Sequence, residues 1–586
     1  MKYSKTIISV ACAALMMSCS ESFLENIPQG SLNDGVMNSS ESVDILVNSA
    51  YASLYGFLEG YHPNTLPTNN WTYGEVRSDN AYKGGGGTGD VYDVHLMETF
   101  DNTAETGNLD QKWFLLYCSV SRCNTALRVL NEVSEDQVPE KNVRIAELKV
   151  LRSHFYFELV RLFNKVPYQD ENLPTTEYIN VRNDEFTRDQ HLSRIAAEML
   201  EAADKLPVRQ EEQGRINKNI ALAYAAKVKL YQAYEQDPAT NKVVNINKSL
   251  LNEVVTLIDR VQGYDLLPDF QDLDLVEFDN GAESVFDIQY ATNDGSADAG
   301  RVNWSMQLCQ PTGPVYGGDC FFLPSQDLIN AYQTDANGLP VFDYQSLPDY
   351  ASIVENPDTH ELTVTNTTPN VDPRLDFVVG RPTITWKKWA ESPYGYDWAR
   401  DPGAYGYNGT KRFILDRNDP NISFVGCHGL SGLNWHYIRY ADLLLWKAEA
   451  LIELNRQDEA LPLINRIRER AMNSAYVKDF NDPSKDAANY KIGLYTSAGW
   501  TQEYARKALR TETRLEKAME GERYFDLVRW GVAQEVMTKY LEAERDNRPY
   551  YQTTTFKPGR EYFAIPVAQY NFSYGRYTQN PGYPAF

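Results

Sequence analysis

Aromatic rings set one or two positions from amides, carboxylates and guanidinium groups are the residues of this chain best suited to chemistry, and that chemistry is recognition. The first such stretch is Trp71-Thr72-Tyr73-Gly74-Glu75-Val76-Arg77-Ser78-Asp79-Asn80-Ala81-Tyr82-Lys83, which ends in a run of glycines over 84–87. A second combines Asn303-Trp304 with Tyr316-Gly317-Gly318-Asp319-Cys320-Phe321. A third, residues 386–407, holds Trp386, Trp389, Tyr394, Tyr396, Trp398, Tyr405 and Tyr407. Sugars present apolar C–H faces and hydroxyl edges, so a flat ring covers the face while Asp, Asn, Arg and Lys hydrogen-bond the edge. The ligand-binding candidates are therefore Trp71, Tyr73, Arg77, Asp79, Asn80, Tyr82 and Lys83 in the first stretch. Trp304, Tyr316 and Phe321 are the candidates in the second, and Trp386, Trp389 and Trp398 in the third. The competing reading is packing: Trp71 would then sit in a core under a capping loop. Most of the third cluster must be packing in any case, with only a couple of its rings left to face solvent.

Signatures of catalysis are missing. There is no His-Glu-x-x-His, no Gly-x-Ser-x-Gly elbow, and the glycine run lacks the Lys-Ser/Thr of a phosphate loop. Of the seven histidines, only His428 (beside Cys427) and His436 lie close in sequence, without the spacing of metal ligands. A binder without metal or cofactor is the expectation. With 80 acidic residues, the paired carboxylates of a glycosidase have no distinguishing mark in sequence.

The N terminus carries a different chemistry. Lys2 and Lys5 precede a mostly apolar run over 7–17, too short to remain as a spanning helix, and the run ends in Leu15-Met16-Met17-Ser18-Cys19. This resembles the lipobox of bacterial lipoproteins, which implies cleavage before Cys19 and acylation of its thiol. An ordinary secretory signal cut nearby is the plainer alternative. Each buried methylene of an acyl chain contributes roughly 0.8 kcal/mol, so several chains tether a protein firmly. Ser20 follows the cysteine, then Glu21; this resembles lipoproteins sent on to the outer membrane and exposed at the cell surface.

Lys+Arg 56 against Asp+Glu 80 gives a net charge of −24. Such a surface repels nucleic acid and anionic headgroups and suits a neutral or cationic ligand. The 39 Tyr, 23 Phe and 10 Trp exceed what a helical core needs, again favouring amphipathic ligands. Beyond Cys12 and Cys19 the cysteines are Cys118, Cys123, Cys309, Cys320 and Cys427. That odd set is no dense disulfide framework, with a Cys309–Cys320 bridge the plausible one.

Around these residues the chain alternates between textures. Residues 1–18 read as a signal peptide and 19–40 as a tether. Residues 41–263 read as a helical region interrupted by a loop-like ligand stretch at 58–108. Apolar periodicity of a helix begins near residue 40 and recurs over 109–133, 140–163, 187–206, 217–234 and 247–261. Alanines at contact positions (Ala221, Ala223, Ala225, Ala226) let neighbouring helices approach closely. Successive pairs of that length look like degenerate tetratricopeptide repeats. Residues 264–436 mix short strand-like pieces, such as 284–290, with Gly/Pro/Asn turns and read as a loop-rich insertion. Helices return in 437–586, over 437–454, 458–472 and 502–540, before a final turn. The fold class is mainly α: a tetratricopeptide-like helical repeat scaffold carrying a loop-rich insertion.

Several stretches together resemble the SusD/RagB family, the surface glycan-binding lipoproteins of Bacteroidetes. They are the lipidation start with Phe23-Leu24 and Pro28, then Arg439-Tyr440-Ala441-Asp442-Leu443-Leu444-Leu445 running on to Ala448-Glu449-Ala450. Next come Arg514-Leu515-Glu516 and Glu520-Gly521-Glu522-Arg523-Tyr524-Phe525-Asp526-Leu527-Val528-Arg529-Trp530-Gly531. Last are Ile565-Pro566 and Gln579-Asn580-Pro581-Gly582-Tyr583. The alternating charges of the 514–529 stretch read as structural, three and four apart on a helix, and as touching no ligand. The resemblance implies an outer-membrane lipoprotein, anchored through lipid, that captures oligo- or polysaccharide and passes it to a SusC-like TonB-dependent transporter. Ligand contacts would come from loops above the repeats; no individual contact is carried across, because such loops diverge most. The alternatives are a secreted glycoside hydrolase, or a RagB-like protein that captures peptides for import.

Overall fold

The computed structural model describes residues 40–56, 60–68, 70–295, 300–387, 393–425 and 428–586. The signal, Cys19 and the tether therefore lie outside the described residues, as do Trp389 and Cys427. The longer helices are α1 (Ser40–Tyr55), α2 (Tyr92–Glu98), α3 (Gly107–Glu132), α4 (Lys141–Phe163), α5 (Arg188–Lys205), α6 (Lys218–Ala233) and α7 (Lys248–Asp259). After the insertion come α8 (Tyr440–Glu453), α9 (Gln457–Asn473), α10 (Gln502–Glu516), α11 (Arg523–Arg529) and α12 (Ala533–Glu544).

Each helix of α3 to α7 packs on the next, α1 lies on α3, and α8 docks on α7 before pairing with α9 and α10. The insertion thus interrupts one continuous helical array in sequence but not in space. The starts of these helices are chemically marked. Thr187 and Gln190 form a reciprocal capping box on α5, and the side chains of Asn217 and Asn247 accept first-turn amides of α6 and α7. The alanines of α6 are all buried, as expected of a helix packed on both sides. No described helix is long and apolar enough to cross a membrane.

Every sheet among the described residues is two-stranded. The strands used below are β1 (Ala81–Gly84), β2 (Ser284–Ile288), β3 (Phe321–Pro324), β4 (Ile353–Glu355), β5 (Leu362–Val364) and β6 (Trp435–Arg439). β1 pairs antiparallel with β3, β2 with β6, and β4 with β5. The stretch expected as ligand loop is more structured than its composition suggests. It holds a π-helical turn (Trp71–Val76), β1 and α2. The last helical region, expected over 502–540, is three helices, with the chain turning over 517–522 between α10 and α11.

That turn is the ionic centre of the molecule. Arg439 reaches Glu283 (2.5 Å), Glu516 (3.0 Å) and Glu520 (2.8 Å), all buried. Arg374 pairs with Asp372 (2.8 Å), Glu512 (2.6 Å) and Glu516 (3.2 Å). Arg412 bridges Asp274 (3.2 Å) and Glu520 (2.9 Å), and Lys517 reaches Asp442 (2.9 Å). Burial works against the Glu520 carboxylate, but Arg439, Lys517 and Arg412 outweigh it and hold its pKa well below the usual range. The 514–529 charges are therefore structural, but mostly through contacts between segments rather than along one helix. The π-helical turn docks here backbone to backbone. A Cβ on Gly74 would lie 1.9 Å from Gly521 O, so only glycine fits.

Removing one partner of a buried pair leaves an uncompensated charge and typically costs about 3–5 kcal/mol. Arg439→Met is expected to lose stability on that scale in denaturant unfolding. Lys539→Ala, which breaks an exposed pair with Glu535, is expected to change it by less than about 0.5 kcal/mol.

Candidate functional site

The structure places the sequence-derived candidates inside the molecule. Trp71 is 1 % exposed, its ring lies against Phe321 and Phe322, and its Nε1 donates to Ser305 O at 3.0 Å. Tyr73 packs edge-on against Phe563 and donates to Asn108 O (3.4 Å). Arg77 lies among the rings of Phe100, Tyr524 and Phe563 and donates to Met97 O, Asn102 Oδ1 and Arg560 O. Asp79 takes two hydrogen bonds from Arg523 (2.8 and 2.9 Å). Burial would raise its pKa, but Arg514 and Arg523 win and hold it at about 2. Asn80 donates to Glu75 Oε2 (2.8 Å) and accepts from Arg514 Nε (2.8 Å). Tyr82 donates to Glu544 Oε2 (2.6 Å). Lys83 donates to the carbonyls of Gly84, Gly87 and Asp90, with burial lowering its pKa to about 8.

The other two segments repeat the pattern. Trp304 is buried in a small cluster with Leu66, Leu115, Val302 and Leu430. Tyr316 accepts from Trp386 Nε1 (3.0 Å) and donates to Leu415 O (3.1 Å). Trp386, Tyr394 and Trp398 pack against one another, and Phe321 sits in the main core. Every described candidate is thus closed off from a ligand, which corrects the expectation that these rings form the platform. The physical reason recurs. The polar edges of Trp71, Tyr73, Tyr82, Tyr316 and Trp386 find partners inside the fold, and the amphipathic character read as a sugar-binding mark serves burial instead. Cys309 and Cys320 are free thiols, so the expected bridge is not made, and Cys320 Sγ lies 3.3 Å from Trp398 O. His436 is internal too, paired with Asp287 (3.0 Å) and Leu273 O (2.8 Å). No cluster among the described residues could hold a metal.

What the third segment leaves half-exposed is Tyr396 and Tyr407, edge to face at 6.0 Å. Neither was singled out as a ligand contact from sequence, although both lie in the segment that was. Tyr407 stands over a cleft of about 420 Å³ lined by Gln326, Asp349, Ser352, Glu355, Asn408, Asn547 and Arg548. Three local devices build it. Asp401 accepts the Ala404 amide (3.1 Å) and closes the turn that carries Tyr405 to Tyr407. Gly406, at φ +78°, lets the Arg548 guanidinium approach where a Cβ would lie 2.5 Å from Nη2. Arg548 in turn lies over the Tyr82 ring at 4.6 Å and donates to Asn547 O (2.8 Å). On the opposite wall, the β4–β5 hairpin carries Glu355, whose Oε1 lies 2.7 Å from His360 Nδ1.

The polar groups of the cleft are partly committed. Asp349 accepts from Asn330 (2.7 Å) and Asn547 (3.2 Å), and Ser352 donates to Asp349 O (3.0 Å). The Asn408 amide makes no hydrogen bond within the protein among the described residues. Partial burial, then the nearby Glu355 carboxylate, raises the Tyr407 pKa above the ordinary tyrosine value, so its hydroxyl stays a donor. A ring face, a ring edge, free amide valences and two carboxylates across a cleft can hold a neutral polyhydroxyl ligand. A larger cavity, about 550 Å³, lies between residues 209–217 and 280–289, lined by the half-buried Tyr264 and the buried Phe286.

The sequence model described as the SusD family matches residues 282–583, more than half of the chain. The chain belongs to the SusD family. A second model, described as starch-binding and associating with the outer membrane, matches residues 22–230. The SusD-like protein P38 of Formosa agariphila is 25 % identical, over 91 % of this chain and 92 % of its own. A SusD homologue of Bacteroides thetaiotaomicron superposes with TM-score 0.67 at 18 % identity, covering 93 % of this chain and 98 % of that one. Surface glycan-binding protein A of the same organism, solved with laminarihexaose, gives TM-score 0.63 at 18 % identity, over 92 % and 99 % of the two chains. The expectation of this family and of a helical scaffold is met.

The reassignment of Trp71 is directly testable. Trp71→Ala is expected to cost about 3–5 kcal/mol of stability by opening a cavity under Phe321 and Phe322, read by thermal and denaturant unfolding. A variant as stable as the parent would return Trp71 to the surface.

Proposed function

We propose that this SusD-family chain is a surface lipoprotein that captures oligosaccharides in the Tyr396/Tyr407 cleft and passes them to a SusC-like TonB-dependent transporter. The observation that carries the reading is the half-exposed Tyr407, edge to face with Tyr396, over a cleft of amides and carboxylates, on the loop-rich part of a fold whose relative was solved with laminarihexaose. The sugar's C–H face stacks on Tyr407 while Asn408, Asn547, Ser352 and Glu355 read hydroxyl positions. Affinity for one oligosaccharide is modest, because each hydroxyl gives up hydrogen bonds to water nearly as good as those it gains. The role is capture rather than hydrolysis: Asp349 and Glu355 are held by Asn330, Asn547 and His360, in ground-state partnerships of their own. The lipobox-like start at Cys19 and the description of the second matching family support anchorage in the outer membrane.

Calorimetry with a panel of neutral oligosaccharides, laminarihexaose among them, tests the cleft. Tyr407→Ala is expected to weaken the best ligand by about tenfold, in line with the roughly 0.5–1.5 kcal/mol of a ring contact beyond its area, at little cost in stability. Unchanged affinity in Tyr407→Ala and in Tyr396→Ala, or release of reducing sugar by the purified protein, would refute the reading. Cys19→Ala is expected to leave the protein in the soluble periplasmic fraction; persistent membrane attachment would refute the anchor.

A further inference from the structure

A second concavity, about 330 Å³, lies between α10, the start of α12 and the 342–345 segment. Its charge is opposite to that of the protein as a whole: Lys507, Arg510, Arg514, Arg523 and Lys539 line it, against Asp79 and Glu535. Most of these cations are spoken for. Arg523 is bidentate on Asp79, and Arg514 reaches Asp327 at 2.8 Å and Asp79 at 3.3 Å. Lys507 and Lys539 pair along their own helices with Glu503 (3.1 Å) and Glu535 (2.9 Å).

Arg510 differs. Among the described residues no carboxylate lies within 4 Å of its guanidinium, and none of its N–H groups has a protein acceptor. The guanidinium stands over the Trp530 ring at 5.0 Å, and that ring is fixed by its own Nε1 donating to Glu449 Oε1 at 3.0 Å. The carboxylates behind Arg510 have other partners: Glu449 is taken by Arg529, and Glu453 accepts two hydrogen bonds from Arg506, at 2.6 and 2.7 Å. Burial pushes the Arg510 pKa below the ordinary arginine value, yet arginine keeps its charge in proteins. The Arg510 side chain is half-buried, and no nitrogen of its guanidinium is closed off from solvent. The guanidinium is also oriented by stacking, with its planar fork of donors available to the groove. Phe342, 36 % exposed and edge-on to Tyr504 at 5.5 Å, supplies a ring at the rim.

We propose that this groove is an oxyanion subsite that takes a carboxylate or sulfate group carried by a sugar, with Arg510 as its bidentate donor. The proposal rests on the carbohydrate reading of the preceding subsection and names the substrate class: acidic glycans, uronate-bearing or sulfated. Arginine over an aromatic ring is matched to a planar or tetrahedral oxyanion in a way that lysine is not. The groove is also where such a ligand escapes the repulsion of a surface with net charge −24. One stretch of chain serves both places, since residues 342–345 wall the groove and residues 349–355 the Tyr396/Tyr407 cleft.

The test is calorimetry on the detergent-solubilised full chain with four probes: an oligouronate, a sulfated oligosaccharide, inorganic sulfate and neutral laminarihexaose. The oligouronate, the sulfated sugar or both are expected to bind, to be displaced by inorganic sulfate and to weaken as salt rises. Which acidic probe binds more tightly identifies the group. Arg510→Gln is expected to weaken that probe by about tenfold to a hundredfold, the scale of a hydrogen bond to a charged group, with Arg510→Lys intermediate. Neutral hexasaccharide binding and melting temperature should not move. Lys539→Gln, an exposed change on the groove wall, should produce a smaller loss and stands in should Arg510→Gln fail to fold. No binding of either acidic sugar, or affinity within about twofold of the parent in Arg510→Gln, overturns the subsite. So does an equal loss for the neutral probe. Acidic-sugar binding that depends on Tyr407 but not on Arg510 sinks this inference alone. Acidic binding through Arg510 with no neutral sugar bound anywhere sinks the Tyr396/Tyr407 cleft instead.

Discussion

The structure depends on a buried mesh of arginines and carboxylates rather than on apolar packing alone. Arg439, Arg374, Arg412, Arg468, Arg470 and Lys517 share Glu283, Glu512, Glu516 and Glu520 among them. These groups come from β6, α9, α10, the turn after it and the insertion. A charge in that position is tolerated only when each partner is present and geometrically satisfied. The mesh therefore fixes how the insertion sits on the helical array, and through Glu75, which accepts the Gly521 and Glu522 amides, how the 71–83 stretch sits on both. Glu522 extends the same logic to the repeats by taking Arg161 (2.9 Å) from α4 and Lys227 (3.1 Å) from α6.

This constraint explains why the fold was legible in sequence and the site was not. Helical periodicity over 141–163 or 248–259 reflects burial of one or two faces of a regular element, a property written in residue spacing. The family stretches at 439–450 and 514–531 were legible because the mesh demands those residue types. Trp71, Arg77, Asp79 and Lys83 look like a binding loop because the mesh and its surroundings need the same ingredients as a sugar site: rings, guanidinium groups and carboxylates. Composition does not reveal whether a polar edge meets a ligand or an internal partner. Asp79 meets Arg523, and Trp71 meets Ser305 O.

The two rings of the third segment that remain accessible sit where the chain turns tightly. Tyr396 and Tyr407 are flanked by Gly395, Pro402, Gly403 and Gly406, a texture of tight turns and single-turn helices (Tyr396–Trp398 and Pro402–Tyr405). A ring between successive turn-formers was the available signal, weaker than the density of tryptophans that drew attention to Trp386 and Trp398. Charge follows the same division between whole and part. The net excess of acid describes the surface on average, while the wall formed by α10 and α12 gathers cations around Arg510, which composition does not reveal.

A crystal structure of the protein with its best-binding oligosaccharide tests the central claim most directly. The account predicts sugar density in van der Waals contact with Tyr407, between residues 396–408 and 349–355, with Trp71, Trp304 and Trp386 unmoved in the core. Density stacked on any of those three tryptophans, exposed by rearrangement of the loops, would contradict it.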